Sequence, residues 1–543
     1  MDENKSLIKS TRAISEATFA SRILGFIRDV IIARLFGTGV RAQAFVVAFR
    51  IPNLLRSLVG EGATNSAVVP VLARLNERGK REEFWQVANC LLNILIVVLA
   101  VLTLLGELLA PIIVRAIAPG FMKDPQKLYL TIRLTRFLFP YILLVGLSAY
   151  AMAVLNSLKS FALPALAPSM LNIALITSAL IFCPRLKEPV DALGIGVLSG
   201  GVLQLAVQVP LLLKKGLLKK RSFSFFHPAL LNTTPYIGDV GEGNKKKGGV
   251  HPRVKEMGRL FLPRTLGIAI YQINLFVDTI FASLTFIVGE GAPAAFQYAN
   301  RLVQFPLALF GIALAQAALP AMSGLAARKD FAQMRRTLSF SLRSVFTMML
   351  PATVGLMVLA RPLVKVIFER GTFSSYSTNI TSFVLLFYCL GLTGYAGIKV
   401  LASYFYSLKD TFTPSKAAAI ALLINVILNF LLMRPLKMGG LALATAISVT
   451  INFGWLLFAM RKRIGKIEGL FAALGRIVLA ASIMGAALWF GLYRSGFLWG
   501  SGLMLAFKLC ASIALGVLVY SGALKLLSPS EAGIFIRWIL RRK

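Results

Sequence analysis

Long apolar segments recur along this chain and constrain its fold more than any other feature. About fourteen segments approach the roughly 20 apolar residues that an α-helix needs to cross a bilayer. Hydrophobic residues make up 57% of the 543 positions, and the formal net charge is +37. A water-soluble globular domain does not combine these values, so the sequence predicts an all-α polytopic membrane protein. The predicted spans lie near residues 13–36, 42–72, 88–114, 137–156, 162–183, 192–213, 261–288, 293–322, 338–359, 380–406, 416–433, 440–460, 470–492 and 499–526.

Basic residues alternate between successive loops. Lysine and arginine in short loops stay on the cytoplasmic side of a membrane. Basic clusters occur in every second connection, as at 74–81, 328–336 and 461–466. Both termini are therefore predicted to be cytoplasmic. The same charge favours contact with anionic membrane lipids and does not imply nucleic-acid binding.

The two halves of the chain resemble each other. Three separated landmarks recur at an offset of about 250 residues, which indicates an internal duplication. Because each copy holds an even number of helices, both copies have the same orientation in the membrane. The landmarks are Ser157-Leu-Lys159 with Ser407-Leu-Lys409, Asp29 to Ala33 with Asp278 to Ala282, and Pro70 with Pro320. We expect each of these two prolines to end a helix.

The duplication predicts five parts of the chain. Residues 1–213 and 259–467 form two six-helix lobes, and a basic cytoplasmic linker at 214–258 joins them. Residues 468–528 add two helices without a counterpart in the first half, and 529–543 form a cytoplasmic amphipathic tail.

The first predicted helix carries charges where a membrane is least polar. Arg22, Arg28 and Asp29 lie near the middle of the 13–36 segment and thus about 15 Å from an interface. An arginine stem reaches only part of that distance, and charges are costly in lipid. We expect these side chains to face a wet cavity. An ion pair that only ties helices together is the alternative.

Further polar groups mark breaks in other helices. The 42–72 segment is interrupted at Pro52-Asn53 and at Gly60-Glu61-Gly62, and it carries Arg56. Broken helices at membrane depth are tolerated where they line a cavity, although proline and glycine also bend purely structural helices. Arginine binds phosphate oxygens through a planar fork, so several arginines in one cavity suit a diphosphate and repel a cationic drug.

The second half has its own polar helix face. Gln297, Arg301 and Gln304 follow the spacing of one helical face. Arg264 lies a turn inside the preceding helix, where snorkelling to the interface is the competing explanation.

A second set of polar residues has the chemistry of a cation site. Asp278, Asn425, Asn429 and Thr445 offer the hard oxygen atoms that small cations prefer. Ordinary hydrogen bonding between helices is the alternative reading.

Enzymatic signatures are missing from the sequence. The only two histidines, His227 and His251, lie in the linker, and the four cysteines show neither metal-binding nor disulfide spacing. The sequence therefore predicts a protein that is not an enzyme and holds no resident cofactor.

Several runs resemble the MurJ (MviN) family, the lipid II flippases of the bacterial cytoplasmic membrane. They are Ser21 to Asp29, Ala44 to Arg56, Glu61-Gly-Ala63 with Pro70, and Tyr298 to Pro306. The resemblance covers nearly the whole chain. It implies the fold of the multidrug/oligosaccharidyl-lipid/polysaccharide exporter superfamily, with two lobes around a central cavity and a groove for a polyprenyl tail on the last two helices.

The resemblance also implies a function. The cargo would be lipid II, an undecaprenyl-diphosphate-linked disaccharide pentapeptide. It would move from the inner to the outer leaflet by alternating access, for peptidoglycan synthesis, cell wall biogenesis and cell shape. Membrane potential or a coupled Na⁺ or H⁺ would bias the cycle, and membrane lipids and cell-wall synthesis proteins are further expected partners. The predicted diphosphate and sugar site comprises Ser21, Arg22, Arg28, Asp29, Asn53, Arg56, Glu61, Arg264, Gln297 and Arg301.

Two positions depart from the family pattern. Gln43 and Asn300 stand where family members often have an acidic residue, so a role of those carboxylates in gating or proton coupling is in doubt. Two rival readings stay open: an exporter of the same fold with a drug or another oligosaccharide-lipid as cargo, and a non-transporting scaffold for cell-wall synthases.

Overall fold

The computed structural model of the protein describes residues 2–57, 64–217, 257, 272–467, 469–493, 497, 500 and 502–539, and these residues form helices without a strand. Nine helices in these ranges are long and apolar enough to cross a membrane. A bent pair, Ser375–Leu390 and Leu392–Ser407, adds a tenth candidate with a 43° bend. The chain is a multi-pass membrane protein, which confirms the predicted fold class.

The first compact unit contains residues 1–32 and 44–273. Most of its long helices form where apolar residues predominate, whereas the first helix also carries charges, and the connections are short. The elements are α1 (Asp2–Phe36), α2 (Val40–Leu55), α3 (Thr64–Glu77), α4 (Arg81–Ile117), a 3₁₀ turn (Pro119–Lys123), α5 (Pro125–Leu138), α6 (Tyr141–Ser157), α7 (Ala162–Phe182) and α8 (Asp191–Lys215).

Helices α7 and α8 pack closely because glycine leaves room for a neighbouring backbone. A Cβ atom at Gly196 would lie 2.9 Å from the Cα atom of Leu175, and one at Gly200 would lie 2.9 Å from that of Leu171. Small residues permit this approach between membrane helices, where lipid supplies no hydrophobic driving force for association. Helix α6 also packs on α8, so the two form one side of the bundle.

The second compact unit contains residues 33–43 and 274–543. Two short π-helical stretches interrupt its helices, at Leu307–Ile312 and Trp489–Tyr493. The other elements are α9 (272–283), α10 (Thr285–Val288), α11 (Ala292–Pro306), α12 (Ala313–Ala327), α13 (Phe331–Val358), α14 (Ala360–Phe368), α15 (Ser375–Leu390), α16 (Leu392–Ser407), α17 (Phe412–Leu432), α18 (Lys437–Ile464), α19 (Leu470–Leu488), α20 (Gly502–Leu527) and α21 (Pro529–Ile539).

Residues 33–43, the end of α1 with the following turn and the start of α2, pack within the second unit. The hydroxyl groups of Thr38 and Ser377 are 2.8 Å apart and buried. The backbone N–H of Thr372 donates to the carbonyl of Arg34 at 2.9 Å. This early piece of the chain is therefore part of the structure that the second half completes.

The internal duplication is visible in the backbone. Lys159 and Lys409 have φ values of 58° and 59°, and Gly79 and Lys329 have values of 70° and 55°. Each pair keeps the 250-residue offset of the sequence landmarks. Non-glycine residues rarely adopt positive φ, so the shared conformation at matching helix ends supports the predicted repeat.

Two predicted helix boundaries are wrong. Pro70 lies inside α3 and Pro320 lies inside α12, so neither proline ends its helix. A proline removes one backbone donor, and membrane helices tolerate this loss because neighbouring groups satisfy the freed carbonyl. Helix α1 begins at Asp2, before the predicted 13–36 span, because a helix can continue beyond the apolar run.

Candidate functional site

Arg28 and Asp29 form a half-buried ion pair on α1. The Arg28 Nη2 atom lies 2.7 Å from Asp29 Oδ1, and Nε lies 3.0 Å from the same oxygen. The two side chains are 14% and 7% exposed. Arg22, six residues earlier on α1, is exposed. This ion pair joins neighbouring residues of one helix, whereas the alternative from the sequence was an ion pair between helices, and Arg22 lies on the same helix outside the pair.

Asn172 on α7 orients the guanidinium of Arg28. The Arg28 Nη1 atom donates to Asn172 Oδ1 at 3.0 Å, and Asn172 Nδ2 donates to the carbonyl of Ser21 at 3.1 Å. The side-chain amide of Asn172 therefore bonds to α1 at two positions, Arg28 and Ser21. These two bonds determine which way the amide is oriented. Ser21 enters the cluster through its backbone. Asn172 was not among the predicted site residues, because an asparagine within an apolar run was its only signal in the sequence.

Two N–H groups of Arg28 remain after these bonds. A guanidinium has five N–H donors, and Asp29 and Asn172 engage three of them. Among the residues that the structure describes, neither remaining N–H, one on Nη1 and one on Nη2, has a protein acceptor. Two N–H groups on one planar fork match two oxygens of a phosphate.

The end of α2 presents a second arginine of the first unit. Arg56 donates from Nε to Asn53 Oδ1 at 3.1 Å, one turn away, and both side chains are half-buried. Ser57 accepts a 2.6 Å hydrogen bond from Gln272 Nε2, which ties the helix end to the start of α9. Pro52 lies inside α2, where it removes one backbone donor. The predicted site residue Glu61 lies outside the described residues.

In the second unit, α11 carries the predicted polar face. Gln297 and Arg301 are half-buried and Gln304 is exposed, whereas Phe296 on the opposite face is buried and packs its ring against Tyr388 at 5.6 Å. The helix therefore buries its apolar side and leaves Arg301 on its less buried side. The π-helical stretch Leu307–Ile312 follows directly. The predicted site residue Arg264 lies outside the described residues.

The four residues of the predicted cation site meet inside the second unit. Asn429 Nδ2 donates to Asn425 Oδ1 at 2.9 Å and to Asp278 Oδ1 at 3.4 Å, and Asn425 Nδ2 donates to Thr445 Oγ1 at 3.2 Å. All four side chains are buried. Hydrogen bonding between helices, one of the two readings from the sequence, is thus present in this cluster, and the cation site stays a prediction.

Asn429 leaves one acceptor of this cluster without a donor. Its Oδ1 atom is buried and has no hydrogen-bond partner among the described residues. The amide orientation is set by its neighbours, because Nδ2 faces two oxygens that can only accept. A buried amide oxygen without a donor is costly, and a cation or a water molecule would satisfy it.

The two positions that depart from the family pattern differ in their surroundings. Gln43 is buried in the second unit, and its Nε2 donates to the carbonyl of Thr38 at 3.1 Å and reaches Glu290 Oε2 at 3.5 Å. A glutamine suits this place because it can donate to a carboxylate. Asn300 is half-buried on α11, next to Arg301.

Nine spans of the described chain that are apolar enough to cross a membrane, together with buried and half-buried charges on other helices, define a multi-pass membrane protein. A solved structure of a multidrug resistance MATE family transporter of the MOP superfamily shares this fold, with a TM-score of 0.63 at 15% identity over 84% of this chain and 96% of that one. A solved structure of the lipid II flippase MurJ in an inward closed conformation is more similar, with a TM-score of 0.76 at 26% identity over 97% of this chain and 99% of that one.

Sequence comparisons give the family. The family model "Lipid II flippase MurJ" matches residues 32–509. A lipid II flippase MurJ of Burkholderia cenocepacia is 35% identical over 458 residues, which are 84% of each chain. A probable lipid II flippase MurJ of Vibrio cholerae is 33% identical over 96% of this chain and 97% of its own. The chain belongs to the lipid II flippase MurJ family, which is a family of transporters.

Proposed function

We propose that this protein moves lipid II from the inner to the outer leaflet of a bacterial cytoplasmic membrane. Membership of the lipid II flippase family carries the proposal, and Arg28 gives it a chemical basis. The two N–H groups that Arg28 retains suit a diphosphate, and the Asn172 amide holds them in place. The basic loops support a topology with both termini in the cytoplasm.

The arginines would act together on the head group of the cargo. Arg22, Arg28 and Arg56 belong to the first unit and Arg301 to the second, and our proposal assigns all four to the head group. An anion in a poorly hydrated site is screened little from nearby cations. Alternating access then requires a conformational change of the protein while the head group stays bound.

The polyprenyl tail would stay in contact with α19 and α20. These helices have no counterpart in the repeat and pack against each other and, through α19, against α13. Their outward side carries large exposed apolar residues, among them Leu503, Met504, Phe507 and Leu518. An apolar surface of this kind suits a hydrocarbon chain, since its burial removes no polar group from solvent.

We further propose that the Asp278 cluster holds the coupling cation, Na⁺ or H⁺. Asp278 and the unsatisfied oxygen of Asn429 would supply oxygen ligands, with Asn425 and Thr445 beside them. A bound cation would offset the charge of a buried carboxylate. Its binding would favour the conformations in which this cluster is assembled.

The cargo charge provides the decisive test. Purified protein should bind polyprenyl-diphosphate sugars about tenfold or more tightly than the matching monophosphates, a difference of at least about 1.4 kcal/mol. Competition binding or native mass spectrometry measures the ratio. Arg301→Lys should reduce this preference, because an ammonium lacks the planar fork. Equal affinity for both lipids would contradict the assignment of the arginines to the diphosphate.

Translocation itself is tested by complementation. A flippase-depleted bacterium that expresses this protein should resume growth and stop accumulating lipid II on the inner leaflet. The rival exporter of a cationic drug predicts drug resistance without restored growth. The scaffold reading predicts that neutralising the four arginines leaves complementation intact, which would contradict our proposal.

A further inference from the structure

The C-terminal helix α21 is fastened at its first turn by a buried carboxylate. Glu531 is 1% exposed. Its Oε1 atom accepts from Arg343 Nε on α13 at 2.7 Å, and its Oε2 atom accepts from the hydroxyl groups of Ser528 and Ser530. Ser528 precedes the helix and Glu531 is its third residue, the spacing of a capping box. Both carboxylate oxygens are therefore satisfied.

The ionisation of Glu531 agrees with this geometry. Burial raises the pKa of the carboxyl group, but the hydrogen bonds from Ser528 and Ser530 and the charge of Arg343 outweigh burial and hold the pKa below its ordinary value. The carboxylate is thus charged at neutral pH, and the ion pair persists until the pH falls well into the acid range.

A second fastening joins α21 to α20 and α13. The buried ring of Tyr520 on α20 meets the ring of Phe535 at 4.9 Å in an edge-to-face arrangement. The Tyr520 hydroxyl donates to the carbonyl of Thr347 on α13 at 2.8 Å. Thr347 lies one turn after Arg343, so both fastenings reach the same face of α13.

The far end of α21 contacts the helix that carries Arg301. The ring of Trp538 lies 5.1 Å from that of Phe310. Phe310 belongs to the π-helical stretch Leu307–Ile312, which directly continues α11. π-Helical stretches are local departures from α-helical hydrogen bonding and often mark functional positions. A side chain packed on such a stretch can select between its conformations.

We infer that α21 is a strut that positions Arg301. Glu531 anchors this strut to α13. Trp538 fixes the conformation of the π-helical stretch Leu307–Ile312, which determines the position of Arg301. The strut follows α20 directly in the chain. A conformational change in the α19–α20 pair would therefore be transmitted to Arg301 through one short helix. This inference rests on the proposed function for its effect on transport. Glu531 and Trp538 are positioning residues, since they act through other groups and need not touch the cargo.

The first test measures translocation and cargo binding together. Trp538→Ala should slow lipid II translocation in proteoliposomes by about tenfold, the scale of one aromatic pair, and should also weaken diphosphate-lipid binding, because Arg301 would no longer be held in place. Trp538→Phe should restore most of the rate because it keeps an aromatic ring. The matched control is Arg537→Ala, since Arg537 is exposed and, within the part of the chain that the structure describes, donates to the carbonyl of Gly533 on its own helix. A wild-type rate in Trp538→Ala would overturn the inference.

The second test does not depend on the cargo. Hydrogen exchange of peptides covering 302–312 should accelerate about tenfold in Trp538→Ala and in Glu531→Gln, because each loses a contact that holds the stretch. Arg537→Ala should exchange like the wild type. Unchanged exchange in both variants would overturn the strut even if transport fell. A wild-type protein that binds no lipid II would contradict the proposed function and leave this second test decisive for the strut.

Discussion

Two buried aspartates, Asp29 and Asp278, occupy matching places in the repeat and have different neighbours. Asp29 follows Arg28, which bonds to it directly, whereas Asp278 follows Val277 and meets the amide of Asn429. In the first half, the chain supplies a cation beside the aspartate. In the second half, the aspartate contacts the amide of Asn429, which belongs to one hydrogen-bonded cluster with Asn425 and Thr445. Under our proposal this cluster holds an exchangeable cation.

This difference explains how duplicated halves can take separate tasks. The arginine beside Asp29 is part of the chain and cannot dissociate, and under our proposal its remaining N–H groups bind the anionic cargo. A cation beside Asp278 would bind and dissociate, and so could drive a cycle. Our proposal thus assigns the cargo to one copy of the repeat and the coupling cation to the other.

The largest expected effect comes from removing the arginine of the Arg28–Asp29 pair. Arg28→Ala should lower lipid II translocation by about 100-fold or more, because it removes a phosphate donor and leaves Asp29 without its neighbouring charge. Proteoliposome assays at matched protein amounts measure the rate. Arg361→Ala, at an exposed position on α14, is the control and should keep the wild-type rate. Normal translocation by Arg28→Ala would remove the cargo role from this half.

Removing the second carboxylate should abolish the cation response. Sodium at 100 times its dissociation constant should stabilise the wild type by about 2.7 kcal/mol against unfolding, and Asp278→Asn should lose this stabilisation. Thermal unfolding in sodium chloride and in choline chloride at equal ionic strength measures it. Asp29→Asn should keep the sodium response. A response that disappears in Asp29→Asn and persists in Asp278→Asn would reverse the comparison.

Converting the second half to the pattern of the first should make the cation unnecessary. Val277→Arg would place a guanidinium next to Asp278, as Arg28 stands next to Asp29. We expect the sodium-dependent rise in unfolding temperature to fall by at least about half. The introduced guanidinium would compete with a sodium ion for the carboxylate of Asp278. The same two-salt unfolding measurement applies. Val277→Leu should retain the full rise, and an equal rise in both variants would show that Asp278 is not a ligand.

The smallest expected effect concerns the orientation of Arg28. Asn172→Leu should lower translocation about fivefold, because one net hydrogen bond contributes about 1 kcal/mol. Ser169→Ala, one turn earlier on α7, is the matched control, since its buried hydroxyl has no partner among the described residues. If both variants translocated alike, Asn172 would have no part in setting the arginine.

The sequence predicted the membrane fold because apolar length and basic loops report on the bilayer directly. It also grouped Asp278, Asn425, Asn429 and Thr445, which the structure brings into contact. Their role as cation ligands stays a prediction. Polar residues in membrane helices are few, so the ones that occur tend to meet one another.

Other features were beyond the reach of sequence patterns. A single asparagine such as Asn172 resembles any hydrogen-bonding residue until its partners on α1 are known. The ion pair of Glu531 with Arg343 joins residues 188 positions apart, and the periodicity of a sequence carries no information on such distant pairs. Pro70 was misjudged because a proline inside a membrane helix and one at its end have the same local sequence.

The placement of residues 33–43 in the second unit has a consequence for how the protein is made. Thr38 leaves the ribosome 339 residues before its partner Ser377, so the first half enters the membrane with part of its surface unmatched. A Cβ atom at Gly371 would lie 2.4 Å from the carbonyl oxygen of Arg34, so the late-arriving loop must fit against a backbone that is already in place. Synthesis is thus a sequence of docking steps, in which the last third of the chain finishes a fold begun by its first forty residues.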